Sequence, residues 1–185
     1  MLSFYIALFD IGEPEAFHWA LVATEINTPL TDPGHIFQVV TQEGCPGEDG
    51  YMTRHEISSL SNIDTFICAV RLSCLKTTME ELEDYMSTQY VGQQGTPIID
   101  TPSRQWGCFQ WAMRVIKGLI DKGVVIPESK NSFFVPKAAA AHRYWGPMIH
   151  VAGTKCAYLV QANSAVAHIH LGVRMMSFED SGIHL

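Results

Sequence analysis

The spacing of apolar positions changes partway along the chain. From residue 3 to residue 75, apolar residues alternate with polar ones or run in short β-branched and aromatic blocks. That pattern predicts strands over 3–11, 17–26, 35–41, 51–58 and 64–75. The second of these is apolar on both sides: His18, Ala20 and Val22 share one face, Trp19, Leu21 and Ala23 the other. A strand of that kind belongs inside a sheet rather than at its edge. His35, Phe37 and Val39 share a face of the third strand. A Gly12-Glu13-Pro14 turn, a loop rich in Pro, Thr and Asp over 27–34 and a glycine-rich acidic loop over 42–50 punctuate the series.

Beyond residue 76 the spacing becomes helical. Thr77 and Glu80 form a candidate capping box that opens a helix to about residue 90 and buries Met79, Leu82, Tyr85 and Met86. Glu80, Glu81, Glu83 and Asp84 crowd its first turns, where the helix dipole favours them, and solvation alone accounts for them. After a linker over 92–100 comes the most strongly amphipathic segment. There Trp111, Ala112, Val115, Ile116, Leu119 and Ile120 recur at spacings of three and four, while Arg114, Lys117, Asp121 and Lys122 fall largely on the other side. Thr101-Pro102 offers one N-terminus for this helix and Gly107 a later one; Gly123 supplies the stop. A short strand over 124–126, a helix over 137–145 and strands over 148–152, 156–161 and 166–175 complete the series. The expected fold is α+β: a mostly antiparallel sheet with packed helices, in a single domain over 1–185.

Composition narrows the partners. With 47% hydrophobic and 17% charged residues, the chain is globular rather than disordered. A net charge of −7 and the lack of any basic run argue against nucleic acid and anionic membrane. Residues 1–9 are apolar, but too few for a membrane span and without the basic lead-in of a signal peptide. Five cysteines, at spacings that fit no zinc or disulfide framework, suggest reduced thiols in a cytoplasmic protein with no cofactor. Oligomeric state is not legible.

The candidate chemistry centres on Cys108. It falls in the first or second turn of the amphipathic helix, where backbone N–H groups and the helix dipole favour a thiolate. A small buried hydrophobe is the competing reading. Cys45, in the acidic loop, has nothing nearby to lower its pKa. A cysteine nucleophile needs a base and a group to orient that base. His18 and His35 are the candidates, provided that antiparallel pairing of strands two and three brings them onto one face beside the helix.

The run Phe17-His18-Trp19-Ala20-Leu21-Val22, then His35-Ile36-Phe37, then Trp106-Gly107-Cys108-Phe109-Gln110-Trp111, resembles the circularly permuted papain-like cysteine enzymes. These include the lecithin retinol acyltransferase-like and NlpC-type proteins. The run is also similar to small fungal proteins with a His-Trp-Ala strand and a later Trp-Asn-Cys-Gln-x-Trp motif. The resemblance covers roughly residues 3–123. It implies Cys108 as nucleophile, His18 as base and His35 as orienting group, with Trp19, Trp106, Gln110 and Trp111 against a small-molecule substrate. The implied activity is acyl chemistry on a small amide, ester or thioester, by a hydrolase or an acyltransferase. Gly107 stands where those families often have asparagine, and Phe109 where they often have a polar residue. That divergence fits an alternative: a non-covalent binding protein or cyclase on the same scaffold, serving a biosynthetic pathway, with no covalent role for the thiol.

The last third carries weaker signals. His168 and His170 share a strand face, and His150 could join them as a zinc ligand, although an ordinary half-exposed strand gives the same pattern. His142, Tyr144 and Trp145 could instead line an aromatic pocket.

Overall fold

A computed structural model describes residues 1–12, 17–41, 50–93, 106–126 and 175–176. The strands are β1 (Leu2–Asp10), β2 (Phe17–Glu25), β3 (Gly34–Thr41), β4 (Tyr51–Ser58), β5 (Phe66–Leu75), β6 (Val125–Ile126) and β7 (Met175–Met176). The helices are α1 (Met79–Ser87) and α2 (Cys108–Asp121). Together the strands form a seven-stranded sheet in the order β4-β3-β2-β1-β5-β6, with β7 on the same edge of β5 as β6. Every pairing is antiparallel except that of β5 with β7. The α+β class and the interior position of β2 follow the sequence expectation.

Strands β1 and β2 are buried on both faces, and this produces two cores. Leu2, Phe4, Ile6 and Leu8 of β1 join Trp19, Leu21 and Ala23 of β2 beneath the helices. Tyr5, Ala7 and Phe9, with Ala20 and Val22, form the core of the opposite face. Among the described residues, that second core is closed by the 59–65 connection, which includes a short 3-10 helix at Leu60–Asn62. β4 ends beside Gly34, whereas β5 begins beside Phe9, so the 59–65 connection crosses the face diagonally and returns the chain to β1. Leu60 and Ile63 of that crossing pack into the core, and Ser59 Oγ donates to the Thr31 carbonyl at 2.6 Å.

Helix α2 lies over β2 and β3 with Trp111, Ala112, Val115, Ile116 and Leu119 buried. It starts after Gly107, the later of the two expected starts. It ends in a Schellman motif: Gly123 N–H donates to the Ile120 carbonyl at 2.8 Å and Val124 N–H to that of Leu119 at 3.2 Å. Gly123 holds φ at 71°, a conformation that costs glycine little and other residues more. Arg114 donates to the Gly92 carbonyl at 2.8 Å and to that of Tyr90, and lies 4.7 Å over the Trp106 ring, which fixes the chain entering α2.

The start of α1 corrects the sequence reading by one residue. Its N-cap is Thr78, whose hydroxyl accepts from Glu81 N–H at 3.2 Å while Glu81 Oε2 accepts from Thr78 N–H at 3.1 Å. Thr77 joins through its own hydroxyl, 2.7 Å from Glu81 Oε2, so the acidic partner is Glu81 and not Glu80. Met175–Met176 pairs with β5; of the last expected strand, over 166–175, only Met175 is among the described residues. The helix expected over 137–145 and the strands over 148–152 and 156–161 lie outside the described residues.

The helices meet where Gly118 faces Tyr85, whose hydroxyl donates to the Val115 carbonyl at 3.3 Å. A Cβ added at Gly118 would overlap that hydroxyl. Helix propensity alone favours Gly118→Ala by about 1 kcal/mol. The clash reverses the sign, and we expect a loss of about 1–3 kcal/mol, the usual range for overpacking. Chemical denaturation of Gly118→Ala, with and without Tyr85→Phe, checks this. The second substitution should restore part of the loss, and a stabilised single variant would refute the assignment.

Candidate functional site

Cys108 is held where the β2–β3 ladder stops. That ladder begins at Ala20↔Gln38; one residue earlier, Trp19 N–H donates to Cys108 Sγ at 3.4 Å. The preceding Trp106 carbonyl accepts from the Tyr51 hydroxyl at 2.9 Å, pinning the helix start to β4. Burial pushes the Cys108 thiol above the ordinary thiol range, and the N–H groups of Trp19, Phe109 and Cys108 itself oppose that shift without overcoming it.

The three residues expected to act together are separated. Trp19 faces the helices, so His18, its neighbour on β2, faces the opposite core and packs against Phe9 with ring centroids 6.0 Å apart. The β2 backbone lies between it and Cys108. His35 is on the helix side but pairs with Ala23, four positions along β2 from Trp19. That is a displacement of roughly 13 Å at ~3.3 Å per residue. The antiparallel pairing was anticipated; the register and the two-residue side-chain period defeat the expected convergence.

Gln38 orients His18, in place of His35. His18 Nε2 lies 2.7 Å from Gln38 Oε1, and Gln38 Nε2 donates to Glu56 Oε1 at 3.3 Å. The amide thus presents its oxygen to the ring, and His18 donates to it from Nε2. Glu56 Oε2 is in turn 2.7 Å from Arg54 Nη2. Burial lowers the pKa of His18, and the Gln38 hydrogen bond opposes this less strongly.

His35 belongs to a different group. Its Nδ1 is 2.7 Å from Glu83 Oε1 and 3.2 Å from His55 Nε2, and His55 Nε2 is 3.9 Å from the same carboxylate oxygen. The register explains this meeting. Phe37 pairs with His55, so His35 and His55 are diagonal neighbours on the helix side, and Glu83 descends onto them from α1. Phe37 stacks on His55 at 4.5 Å and 12°. Burial pushes His55 below the usual histidine range, the Glu83 carboxylate pulls it up, and His35 pulls it down.

Beside this group is a cavity of about 190 Å³ lined by Phe37, His55, Glu83, Met86 and Trp111, among others. Trp111 is 1% exposed, and its Nε1 has no hydrogen-bond partner among the described residues. Of the four residues expected to contact substrate, Trp111 alone lines this cavity. Trp19 packs edge-on against Phe109 at 4.9 Å, Trp106 donates from Nε1 to the Val91 carbonyl at 2.7 Å, and Gln110 is buried at 3% exposure. His150, His168, His170, His142, Tyr144 and Trp145 lie outside the described residues, as does Cys45.

Gln38, Glu56 and His55 carry no site signal in the sequence, and Glu83 reads there only as a solvated acid at a helix start. The usable signal was alternation: once β3 and β4 pair, His35 and His55 share a face, and Gln38, Arg54 and Glu56 share the other. Comparisons of the chain with protein-family models, with curated proteins and with solved structures find no match. Among the described residues, no helix is long and apolar enough to cross a membrane.

The lowered pKa of His18 gives a signed expectation. Its folded value lies below the unfolded 6.5, so the unfolded chain takes up this proton first as pH falls. The contribution of His18 is intact above about pH 6.5 and declines as pH drops toward the folded value. The midpoint of thermal unfolding should fall less steeply in His18→Asn than in the native chain between about pH 7 and pH 5. Parallel slopes would exclude a buried neutral His18.

Proposed function

We propose that the protein binds a compact small molecule non-covalently, in the cavity between the β3–β4 face and the two helices. The observation that carries this reading is a cavity lined by the Phe37–His55 stack and by Trp111, whose buried indole N–H has no acceptor among the described residues. A buried donor without an acceptor costs about 1–3 kcal/mol, which a ligand acceptor would recover. At about 190 Å³ the cavity is smaller than the ~300–1,000 Å³ of drug-sized sites, so the ligand is a flat heteroaromatic or small polar ring. The scaffold, on this proposal, is a permuted papain-like one that keeps a cysteine at a helix start against a His-Trp-Ala strand. The free thiols Cys74 and Cys108 are compatible with a cytoplasmic setting.

A second reading retains cysteine-dependent acyl chemistry, with Cys108 as nucleophile. One observation favours it: Trp19 N–H donates to the sulfur. Against it stand the raised thiol pKa and a His18 that faces the other core. For this reason we rank it second.

The two readings separate experimentally. A thermal-shift series with pyridine, quinoline and pyridone carboxamides should yield ligands that stabilise the native chain and Cys108→Ser alike. Trp111→Phe should weaken them about tenfold, the equivalent of one hydrogen bond at ~1.4 kcal/mol. Met86→Trp, which fills the cavity, should abolish binding. Rapid alkylation of Cys108 by iodoacetamide, with an apparent pKa below ~8.5 and a rate that drops in His18→Ala, would reverse the ranking.

A further inference from the structure

We propose that His35, His55 and Glu83 form a binding site for one divalent transition-metal ion of the zinc class, at the wall of the same cavity. The inference goes beyond the small-molecule reading and does not need it, because the three donors come from the protein alone.

The donor atoms have the separations that such an ion requires. Bonds of about 2.0–2.2 Å from a tetrahedral ion put neighbouring donors roughly 3.3–3.6 Å apart. The observed separations of 2.7, 3.2 and 3.9 Å bracket that value. A centre equidistant from His35 Nδ1, His55 Nε2 and Glu83 Oε1 therefore exists with only small side-chain adjustment. The three ligands sit on three regular elements, β3, β4 and α1. The Phe37 ring stacks on both imidazoles, at 4.5 Å to His55 and 6.4 Å to His35, and sets their planes. The capping box at Thr78 fixes the first turn from which Glu83 follows.

Protons alone satisfy this group poorly. If His35 donates from Nδ1 to Glu83, that same nitrogen also faces His55 Nε2 at 3.2 Å, and one N–H cannot serve two acceptors well. Three donor atoms within 3.9 Å of one another are what a cation can bridge. Two imidazole nitrogens and one carboxylate oxygen suit zinc, cobalt, nickel or ferrous iron, whereas magnesium and calcium call for oxygen donors throughout. Three protein ligands leave a position open. Glu83 and His55 both line the cavity, so that position is available to water or to a ligand atom there.

The test uses the full chain, stripped with EDTA and titrated with cobalt(II) under visible absorption. We expect one saturable site per chain with the intense bands of a low-coordinate ion. Glu83→Gln and His55→Ala should each weaken it by at least about 100-fold, the upper range seen even for outer-shell losses. His18→Ala should leave it unchanged. Melting curves in EDTA identify any variant that is simply misfolded, and Glu83→Gln, which keeps the side chain's shape, carries the test if His55→Ala proves unstable. A native chain that binds no cobalt overturns the proposal. So does a Glu83→Gln/His55→Ala double variant that binds as the native chain does, since the ion would then lie elsewhere, for example on His150, His168 and His170. Cobalt binding without any heteroaromatic ligand would sink the small-molecule reading alone; ligand binding without cobalt would sink this one alone.

Discussion

Everything in this fold depends on β2 being buried on both sides. A strand with one wet face can slip or rotate by one residue and pay only on its dry side. β2 cannot, because Trp19, Leu21 and Ala23 belong to the helix-side core while Ala20 and Val22 belong to the core beneath the 59–65 crossing. Its register with β1 and β3 is fixed from both directions. That register then sorts every polar side chain of β3 and β4 onto one face or the other. Phe37, His35 and His55 go to the helices; Gln38, Arg54 and Glu56 go to the opposite side. The chemistry available to the protein is set by this sorting more than by any individual residue.

The helix-side group gains from it. His35 and His55 are twenty residues apart in sequence and meet only because β3 and β4 form an antiparallel pair. Glu83 is three residues before Met86 on α1, so both line the same cavity. A carboxylate near an acidic helix start is ordinarily a solvated charge or, like Glu81, part of the cap. Glu83 differs because the face it occupies is already committed to burial by Leu82 and Met86.

Much of the architecture was readable from periodicity. The five long strands, the two helices and the stop of α2 at Gly123 follow from spacing and end signals, whereas the choice of Gly107 over Thr101-Pro102 as the start of α2 does not. The candidate site was less readable, for a specific reason. His18 and His35 look like partners in one dimension because each lies near the start of a neighbouring strand. In an antiparallel pair, however, two strand starts are at opposite ends, and here they are on opposite faces too. The residue that does reach His18 is Gln38, the direct partner of Ala20, which lies two residues further along β2. Register of that kind depends on how long the intervening loop is and how it folds, and side-chain alternation alone does not contain it. The cap of α1 shows the same limit at smaller scale: Thr77 and Thr78 both precede the helix, and only the backbone geometry selects Thr78.

Cys108 brings the two sides of the argument together. A helix start supplies N–H groups to a thiolate, and burial withdraws the water a thiolate needs; the two effects oppose each other at one atom. Three backbone N–H groups act on this sulfur, yet burial is the larger effect and the pKa rises. The balance would shift only with a charged partner close by. The histidine next to Trp19 on β2 does not serve, because it points through the sheet to the far core, where burial lowers its pKa and Gln38 hydrogen-bonds it. A thiol so placed packs the joint between α2 and the open end of the β2–β3 ladder. The groups able to engage a ligand or an ion are a few residues along the same face, at His35, His55, Glu83 and Trp111.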